Sequence, residues 1–203
     1  MKKIILASNN SHKIGEIREI LKDLDVEIRS LKDEDINIDV VEDGKTFEEN
    51  AKKKAVEIAN YLKDKGKKDF IVMADDSGLE VDYLNGEPGI YSARYAGEHG
   101  NDEANNKKLL EKLKGVDRKD RKGRFVCVIA LQDSNGEYIS IRGEVEGIIQ
   151  EEISGKGGFG YDPLFYYEPL KKTFSEISAE EKNSVSHRGR ALKKLKEKLE
   201  SYM

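Results

Sequence analysis

Short, uninterrupted apolar runs alternate with helical patterns along the first half of this chain. The segment 70–74 is wholly apolar, and a similar run, 4–7, lies at the N-terminus. Runs of this length suit strands that are covered on both faces, whereas a buried helix needs at least about ten residues. The first run is followed by Ile14, Ile17 and Leu21 at helical spacing. Alternating buried strands and helices predict an α/β fold.

Length and composition narrow the class of protein. A chain of 203 residues suits one domain, and its apolar and charged shares are both 37%, which implies a compact core under a dense ionic surface. No apolar stretch approaches the roughly 18 residues that a membrane span needs, and the N-terminal run is too short for a signal peptide. We therefore expect a cytoplasmic protein without membrane association. Cys127, the one cysteine, lies in an apolar run and should be a buried thiol.

Further elements follow from local signals. Val26–Ser30 reads as a strand, and Thr46 with Glu49 predicts a capping box at the start of a helix that reaches about Lys65. The strand at 70–74 is expected to end at Asp75, with a separate strand at 79–84. A short amphipathic helix is predicted at 101–114.

The second half begins with a hairpin signal. Asn135-Gly136 separates two strand candidates at 123–131 and 137–149, so that the sheet should be mixed. The hairpin is a candidate for a separate lobe, with the division near 118–123. Near the C-terminus, Ser178 and Glu181 form a second predicted capping box. A short helix should break near 185 and restart with a stripe of Leu192, Leu195 and Leu199.

Charge excludes some partners. Thirty-six basic and 40 acidic side chains give a net charge of −4, which provides no global attraction to nucleic acid or to an anionic membrane. Any phosphate chemistry must therefore be local. His12, His99 and His187 are far apart in sequence, which does not suit a zinc site.

One candidate for phosphate binding lies between the first strand and the first helix. Unpaired backbone N–H groups at a helix start favour an anion, and this loop adds hydroxyl, amide and lysine groups. The alternative is an ordinary polar turn that caps a helix. The loop residues are Ser8, Asn9, Asn10, Ser11, His12 and Lys13.

Asp75 and Asp76 follow the apolar run at 70–74, where open α/β sheets place ligands. Carboxylate oxygens are the ligands that Mg²⁺ takes, usually one or two per site together with water and substrate phosphate. The acidic loop around Glu42 and Asp43 could contribute. The alternative is a strand-ending turn, because Asp and Gly are common turn residues.

Two later segments suit a purine base. Gly155, Gly157 and Gly160 match G-x-G-x-x-G, but Pro163 follows and no helix opens, so the dinucleotide fingerprint fails. Phe159, Tyr161 and Asp162 instead offer aromatic faces and an acceptor, unless the segment is only a flexible turn. Where the last two helices meet, three polar side chains should project, or else form a solvated face: Lys182, His187 and Arg188.

Six motifs in order resemble the inosine triphosphate pyrophosphatase family. They are Ser8-Asn9-Asn10-x-x-Lys13, Gly44-x-Thr46-Phe47-x-Glu49-Asn50-Ala51, Ala74-Asp75-Asp76-Ser77-Gly78-Leu79, Pro88-Gly89-x-Tyr91-Ser92-Ala93-Arg94, Gly157-Gly158-Phe159-Gly160-Tyr161-Asp162-Pro163 and Ser186-His187-Arg188-Gly189. The match spans the whole chain. Ser8-Asn9-Asn10 departs from the Thr-Gly-Asn that the family commonly has, which keeps the hydroxyl but loses a glycine.

The resemblance implies an elongated α/β fold with a mixed sheet, a cleft between two lobes, and a homodimer. It also implies Mg²⁺-dependent hydrolysis of ITP, XTP and dITP to the monophosphate and pyrophosphate. Residues 8–13, with help from Ser77, would hold the triphosphate, and Glu42 and Asp76 would position Mg²⁺. Asp39, Asp43 and Glu49 are alternatives to Glu42, and Asp75 would support the metal or brace the turn.

In the same family, Asp76 would also be the base that activates water. Phe159 would stack on the nucleobase, whose edge would be read by Asp162, Lys182, His187 and Arg188, with Gly160 and Tyr161 beside them. Two other functions stay open. A Maf-like pyrophosphatase would act on pyrimidine or modified nucleotides, although the segments at 159–162 and 186–188 argue against it. A nucleotide- or RNA-binding module would need no Mg²⁺ and would weaken steeply with salt.

Overall fold

A computed structural model describes residues 2–202, and it describes the side chains of residues 3–198. It contains a seven-stranded sheet in the order β2-β1-β3-β4-β5-β6-β7. The strands are β1 Lys2–Leu6, β2 Val26–Ser30, β3 Ile71–Val81, β4 Lys122–Asp133, β5 Tyr138–Ile149, β6 Phe165–Tyr167 and β7 Lys172–Thr173. The α-helices are α1 Ser11–Leu21, α2 Phe47–Asp64, α3 Asp102–Lys112, α4 Ala179–Val185 and α5 His187–Tyr202.

The sheet is mixed, as predicted. β1 pairs in parallel with β2 and with β3, and its last residue, Leu6, lies opposite Met73 of β3. β6 runs antiparallel to both β5 and β7. The parallel pairs involve strands that are joined through helices. A chain that leaves the end of one strand must cross back to the other end of the sheet before a parallel strand can begin. The α/β class expected from the alternating pattern is therefore confirmed.

The chain divides into two compact units. Unit 1 comprises residues 1–76, 127–143 and 190–203, and unit 2 comprises residues 77–126 and 144–189. β3, β4 and β5 each contribute residues to both units. The hairpin of β4 and β5 therefore does not form a lobe of its own, and the division does not fall at 118–123 as predicted. The reason is that both strands are long enough to supply core residues to two separate apolar clusters.

Two helices, α2 and α4, begin at the capping residues that the sequence predicts, with one difference. Thr46 accepts a hydrogen bond from the Glu49 amide at the start of α2, but the Glu49 carboxylate accepts from the Lys45 amide rather than from Thr46. The capping box is therefore only half formed there. At α4 it is complete, because Ser178 and Glu181 each accept from the other's amide.

β3 corrects the prediction that a strand ends at Asp75. The strand continues without a break through both aspartates and Ser77 to Val81, so the segments at 70–74 and 79–84 are not separate strands. The carboxylates do not turn the chain because two part-buried lysines pair with them, as described below. Asp75 and Asp76 are therefore held by a continuous strand rather than by a loop.

Each unit has its own core. In unit 1, Ile4, Met73 and Cys127 pack with Leu192 and Leu195 of α5, and the inner stripe of α2 is buried as predicted. Leu199, the third predicted leucine of α5, lies outside the described side chains. In unit 2, aromatic rings dominate, and Phe125 packs against Phe165 at a centroid distance of 4.5 Å. Within residues 2–202 we find no helix with the length and apolar character needed to cross a bilayer.

Candidate active site

Residues 8–10 lie in the connection from β1 to α1, and residues 11–13 form the first turn of the helix. Asn10 is the N-cap, and its Oδ1 accepts a hydrogen bond from the Lys13 amide at 3.1 Å, while the Asn10 amide donates to Ser8 Oγ at 3.2 Å. Ser11 and His12 lie in the first turn and are exposed, as is Asn9. α1 carries no acidic side chain in its first turn, so the positive end of its dipole faces no internal counter-charge of its own. The loop therefore caps α1, and its role in binding an anion stays a prediction.

The Lys13 side chain connects this loop to β3. Its Nζ lies 2.6 Å from Asp75 Oδ1, and the Asp75 side chain is fully buried. The other oxygen, Asp75 Oδ2, lies 3.1 Å from Cys127 Sγ on β4. Asp75 is thus held by a cation and a thiol, and this arrangement identifies it as a group that fixes Lys13.

Lys54 forms the centre of a second set of contacts. Its Nζ lies 2.8 Å from the Asp75 carbonyl oxygen, 3.3 Å from Asp76 Oδ1 and 3.1 Å from Glu42 Oε2. Two of the alternatives to Glu42 have other partners: Asp43 pairs with Lys53 at 2.6 Å, and Glu49 accepts from a backbone amide. Of the acidic candidates in this segment, Glu42 is the one that joins Lys54 and Asp76.

The cluster contains more negative than positive charge. Two ammonium groups, Lys13 and Lys54, face three carboxylates, Glu42, Asp75 and Asp76. Asp76 Oδ2 is buried and receives no hydrogen bond from any donor in the described part of the chain. The excess carboxylate charge and the bare oxygen are both suited to a hard divalent cation, which takes one or two protein carboxylates and completes its shell with phosphate and water.

The electrostatics of the cluster distinguish its members. Burial raises the pKa of Asp76 to about 6, with Lys54 and Lys13 opposing the rise and Glu42 adding to it. Burial alone would raise the pKa of Glu42 as well, but Lys54 and hydrogen bonding bring it below its usual value. Burial would lower the pKa of Lys54, but the carboxylates of Asp76 and Glu42 raise it. Of Glu42 and Asp76, Asp76 is therefore the one whose proton affinity lies nearer to neutral pH.

Lys54 was not predicted from the sequence. It lies on α2 between the buried Ala51 and Ala55, three residues after one and one before the other. A lysine beside an apolar stripe is usually an exposed side chain whose stem covers the core. One feature could have indicated its role. Lys54 lies one helical turn after Asn50, which is buried, so the two side chains share the inward face of the helix.

Unit 2 brings together the residues predicted to recognise a base. Asp162 is 2% exposed, and its Oδ2 accepts from the Phe159 amide at 2.9 Å and lies 2.6 Å from Lys182 Nζ. The Lys182 ammonium lies 4.4 Å from the centroid of the Phe159 ring, a cation–π distance. Gly158, at φ +74°, has no room for a Cβ because Asp162 Oδ2 lies against it. The aromatic ring, the carboxylate and the lysine thus form one contiguous group.

His187 and Arg188 lie where α4 gives way to α5, as predicted. They are buried rather than projecting into solvent, with 5% and 1% of their surfaces exposed. The His187 ring stacks on Phe125 at a centroid distance of 4.8 Å, and Arg188 Nη2 donates to Ser77 Oγ at 2.9 Å. Arg188 lies 5.9 Å from the Phe159 ring centroid. The sharp joint depends on Gly189, because a Cβ there would overlap the Asn183 carbonyl oxygen.

Two members of the predicted set have mainly internal contacts. The Tyr161 ring is part of the core of unit 2, and its hydroxyl donates to the Ser92 carbonyl at 2.8 Å. Both polar backbone groups of Gly160 are hydrogen-bonded to α3. Their places in a binding site stay predictions. Among the described residues there is no group of three or more His, Cys, Asp or Glu side chains arranged to hold a metal.

The Ham1 family model matches residues 4–198. The chain belongs to the Ham1 family. It is 63% identical to a dITP/XTP pyrophosphatase of Clostridium perfringens and 52% identical to one of Clostridium tetani, in each case over all 203 residues. These alignments cover 100% and 98% of the two relatives. Among solved structures, the Staphylococcus aureus Ham1 protein is 45% identical, with a TM-score of 0.87 and full coverage of both chains.

Membership of the Ham1 family confirms the resemblance inferred from six motifs. The family model covers every motif from Ser8 to Gly189, so the agreement does not rest on one segment. The high TM-score confirms the fold class as well, including the mixed sheet with its helices.

Proposed function

We propose that this protein hydrolyses non-standard purine nucleoside triphosphates, namely dITP, ITP and XTP, to the monophosphate and pyrophosphate. The observation that carries the proposal is the cluster of Lys13, Lys54, Glu42 and Asp76, which combines two lysine ammonium groups with a bare buried carboxylate oxygen. The names of close full-length relatives support the substrate class. Hydrolysis of these nucleotides would remove deaminated purines from the nucleotide pool of the cytoplasm.

The triphosphate would bind at the loop 8–13 and the two lysines. Backbone N–H groups and the dipole at the start of α1 favour an anion, and Ser8, Asn9 and Asn10 add neutral hydrogen-bonding groups. Lys13 and Lys54 supply positive charge that is held in place by Asp75 and Glu42. Ser77 would assist from β3, where it already accepts from Arg188.

Glu42 and Asp76 would hold Mg²⁺. The fit rests on the bare Asp76 Oδ2 and on the excess of carboxylate charge described above, and two carboxylates are enough when substrate phosphate completes the shell. When bound, Mg²⁺ would neutralise charge on the phosphates and orient them for attack.

Asp76 would be the catalytic base. Its carboxylate would accept a proton from water while the water oxygen forms a bond to the α-phosphorus. The bond from that phosphorus to the bridging oxygen breaks, and pyrophosphate leaves with its charge balanced by Lys13. The positions of the two lysines therefore contribute charge stabilisation, while Asp76 contributes proton transfer.

Recognition of the base would belong to the group in unit 2. Phe159 would stack on the purine, and Asp162, Lys182, His187 and Arg188 would contact its edge. Donors such as Arg188 favour the 6-oxo group of hypoxanthine and xanthine over the 6-amino group of adenine. Guanine shares that oxo group, so its 2-amino group would have to lose water without gaining a partner, which costs about 1 to 3 kcal/mol.

The assay that tests this function identifies both substrate and product. The protein is incubated with Mg²⁺ and each of dITP, ITP, XTP, ATP, GTP and UTP, and the phosphate product is separated by chromatography. We expect pyrophosphate from the first three, and loss of turnover by about 10² to 10⁴-fold in Asp76→Asn. Orthophosphate as the product would contradict the mechanism, and preference for UTP would favour a Maf-like activity. Sedimentation of the same sample would test the expected homodimer.

A further inference from the structure

Helix α3 holds the segment that carries Phe159. The Gly160 amide donates to Asp102 Oδ2 at 2.7 Å, and the Gly160 carbonyl oxygen accepts from Asn106 Nδ2 at 2.8 Å. Asp102 and Asn106 are four residues apart, so they lie one above the other on the same face of the helix. A single face of α3 thus satisfies both polar backbone groups of one residue.

The geometry of Asn106 shows that the contact is specific. Its amide nitrogen donates to two carbonyl oxygens, those of Gly160 and Asp102, and the residue is 3% exposed. Because both partners are acceptors, the nitrogen and not the oxygen must face them. An aspartate at 106 would place a carboxylate oxygen against two carbonyl oxygens. The position therefore requires an amide donor.

Phe159 is held from its other side as well. Its own amide donates to Asp162 Oδ2, which also pairs with Lys182. The peptide groups before and after Phe159 are both fixed, and Gly160 adopts φ +60°, a left-handed conformation that few other residues accept without strain. The backbone that carries the aromatic ring is thus held by hydrogen bonds on both sides.

We propose that Asp102 and Asn106 are positioning residues for purine recognition, which act by holding Gly160 and so fix the Phe159 ring for stacking on the base. This inference rests on the proposed function. Neither residue is placed in contact with substrate; each acts through the backbone next to Phe159. Their loss should therefore weaken binding of the base without altering phosphate chemistry.

The test compares Asp102→Ala and Asn106→Asp with Glu103→Ala. Glu103 lies in the same first turn of α3 and is exposed, so it controls for the loss of a negative charge at the helix start. Asp102→Ala should raise KM for ITP about 10-fold or more, as expected for a lost hydrogen bond to a charged group, with little change in kcat. Asn106→Asp should have a similar effect, because its carboxylate leaves the Gly160 carbonyl oxygen without a donor and repels it. Glu103→Ala should leave both constants unchanged, and Asp102→Asn, which keeps an acceptor oxygen, should recover most of the loss.

Two further measurements separate positioning from a general structural role. Inorganic tripolyphosphate, used as a competitive inhibitor without a base, should keep its inhibition constant in all variants. In a double-mutant cycle, Asp102→Ala should add nothing to Phe159→Ala if it acts only through that ring. The proposal would be overturned by full additivity of the two substitutions, by weaker inhibition by tripolyphosphate, or by an unchanged KM in a folded variant. If Asp102→Ala does not fold, the KM of Asn106→Asp provides the test.

The controls also separate this inference from the proposed function. If wild-type protein does not hydrolyse ITP, or if Phe159→Ala leaves KM unchanged, then the base-recognition part of the proposed function fails. If Phe159→Ala raises KM but neither α3 variant does, then only the role of Asp102 and Asn106 is wrong.

Discussion

Burial of the Asp76 carboxylate has an energetic cost, which its raised pKa reflects. Lys13 and Lys54 are matched by Asp75 and Glu42, which leaves the Asp76 carboxylate as the excess charge. Its bare oxygen is sheltered from water, so ionisation opposes folding when no cation is bound. The same feature that would make Asp76 useful as a base and a ligand therefore lowers the stability of the protein without metal.

Asp76→Asn should consequently stabilise the protein in EDTA at pH 7.5, by about 1 to 3 kcal/mol. In the folded protein the pKa of Asp76 is raised to about 6, above its ordinary value of 3.8. Its contribution to the stability of the folded state is therefore present at low pH, and it is lost as the pH rises from the lower of these values to the higher. The gain should disappear near pH 4. Urea unfolding at both pH values measures it. Asp75→Asn, which breaks the buried pair with Lys13, should instead destabilise, and an equal loss in both variants would contradict the assignment.

Arg188→Ala tests base choice at a single side chain. Losing a charge-assisted donor to the 6-oxo group costs about 1.5 to 3 kcal/mol, so kcat/KM for ITP should fall about 10 to 150-fold. ATP should change far less, because its 6-amino group offers that donor no acceptor. Steady-state kinetics with both nucleotides provide the comparison, and the exposed Arg190→Ala is the control. A uniform fall for ITP and ATP would mean that Arg188 acts only on the scaffold, through contacts such as that with Ser77.

Among the elements, the joint between α4 and α5 depends most on one position. Gly189→Ala would press a methyl group onto the Asn183 carbonyl oxygen, which belongs to the backbone and cannot rotate away. We expect a loss of at least about 2 kcal/mol in the free energy of unfolding, and a displacement of His187 and Arg188. Gly15→Ala is the matched control, because Gly15 lies in α1 and, its own stretch of helix backbone aside, no described atom lies within 4 Å of the place that its new methyl group would occupy. That change should stabilise by about 0.5 to 1 kcal/mol, and chemical denaturation of both variants measures the contrast.

The elements also show where sequence reasoning succeeds and where it stops. β2, α4 and the start of α2 follow from local signals, because strand propensity and N-capping involve residues close in sequence. The continuation of β3 through Asp75 and Asp76 does not, because the cations that make it possible come from residues 13 and 54. Lys54, Asp102 and Asn106 were missed for the same reason. Their partners lie far along the chain, and composition alone does not distinguish them from surface residues.

At the scale of the whole molecule, Cys127 reports on opening of the structure. It is the one cysteine in the sequence, it is fully buried in the core of unit 1, and its thiol contacts Asp75. A thiol reagent should therefore label native protein slower than unfolded protein by several orders of magnitude, with one equivalent reacting per chain in denaturant. Absorbance of the released chromophore measures the rate. Rapid labelling under native conditions would show that this part of the core opens locally.

The division of the chain into units has a consequence for its biosynthesis. Unit 2 takes its last segment from residues 144–189, and unit 1 takes its last segment from residues 190–203, which include the core residues Leu192 and Leu195. A nascent polypeptide leaves the ribosome from its N-terminus, so most of the chain is synthesised before either unit is complete. Until then the strands of each unit lack part of their core, and a product that terminates before residue 189 contains no finished unit. A gene truncated before that point therefore encodes neither unit whole, whereas loss of residues 190–203 removes only the last segment of unit 1.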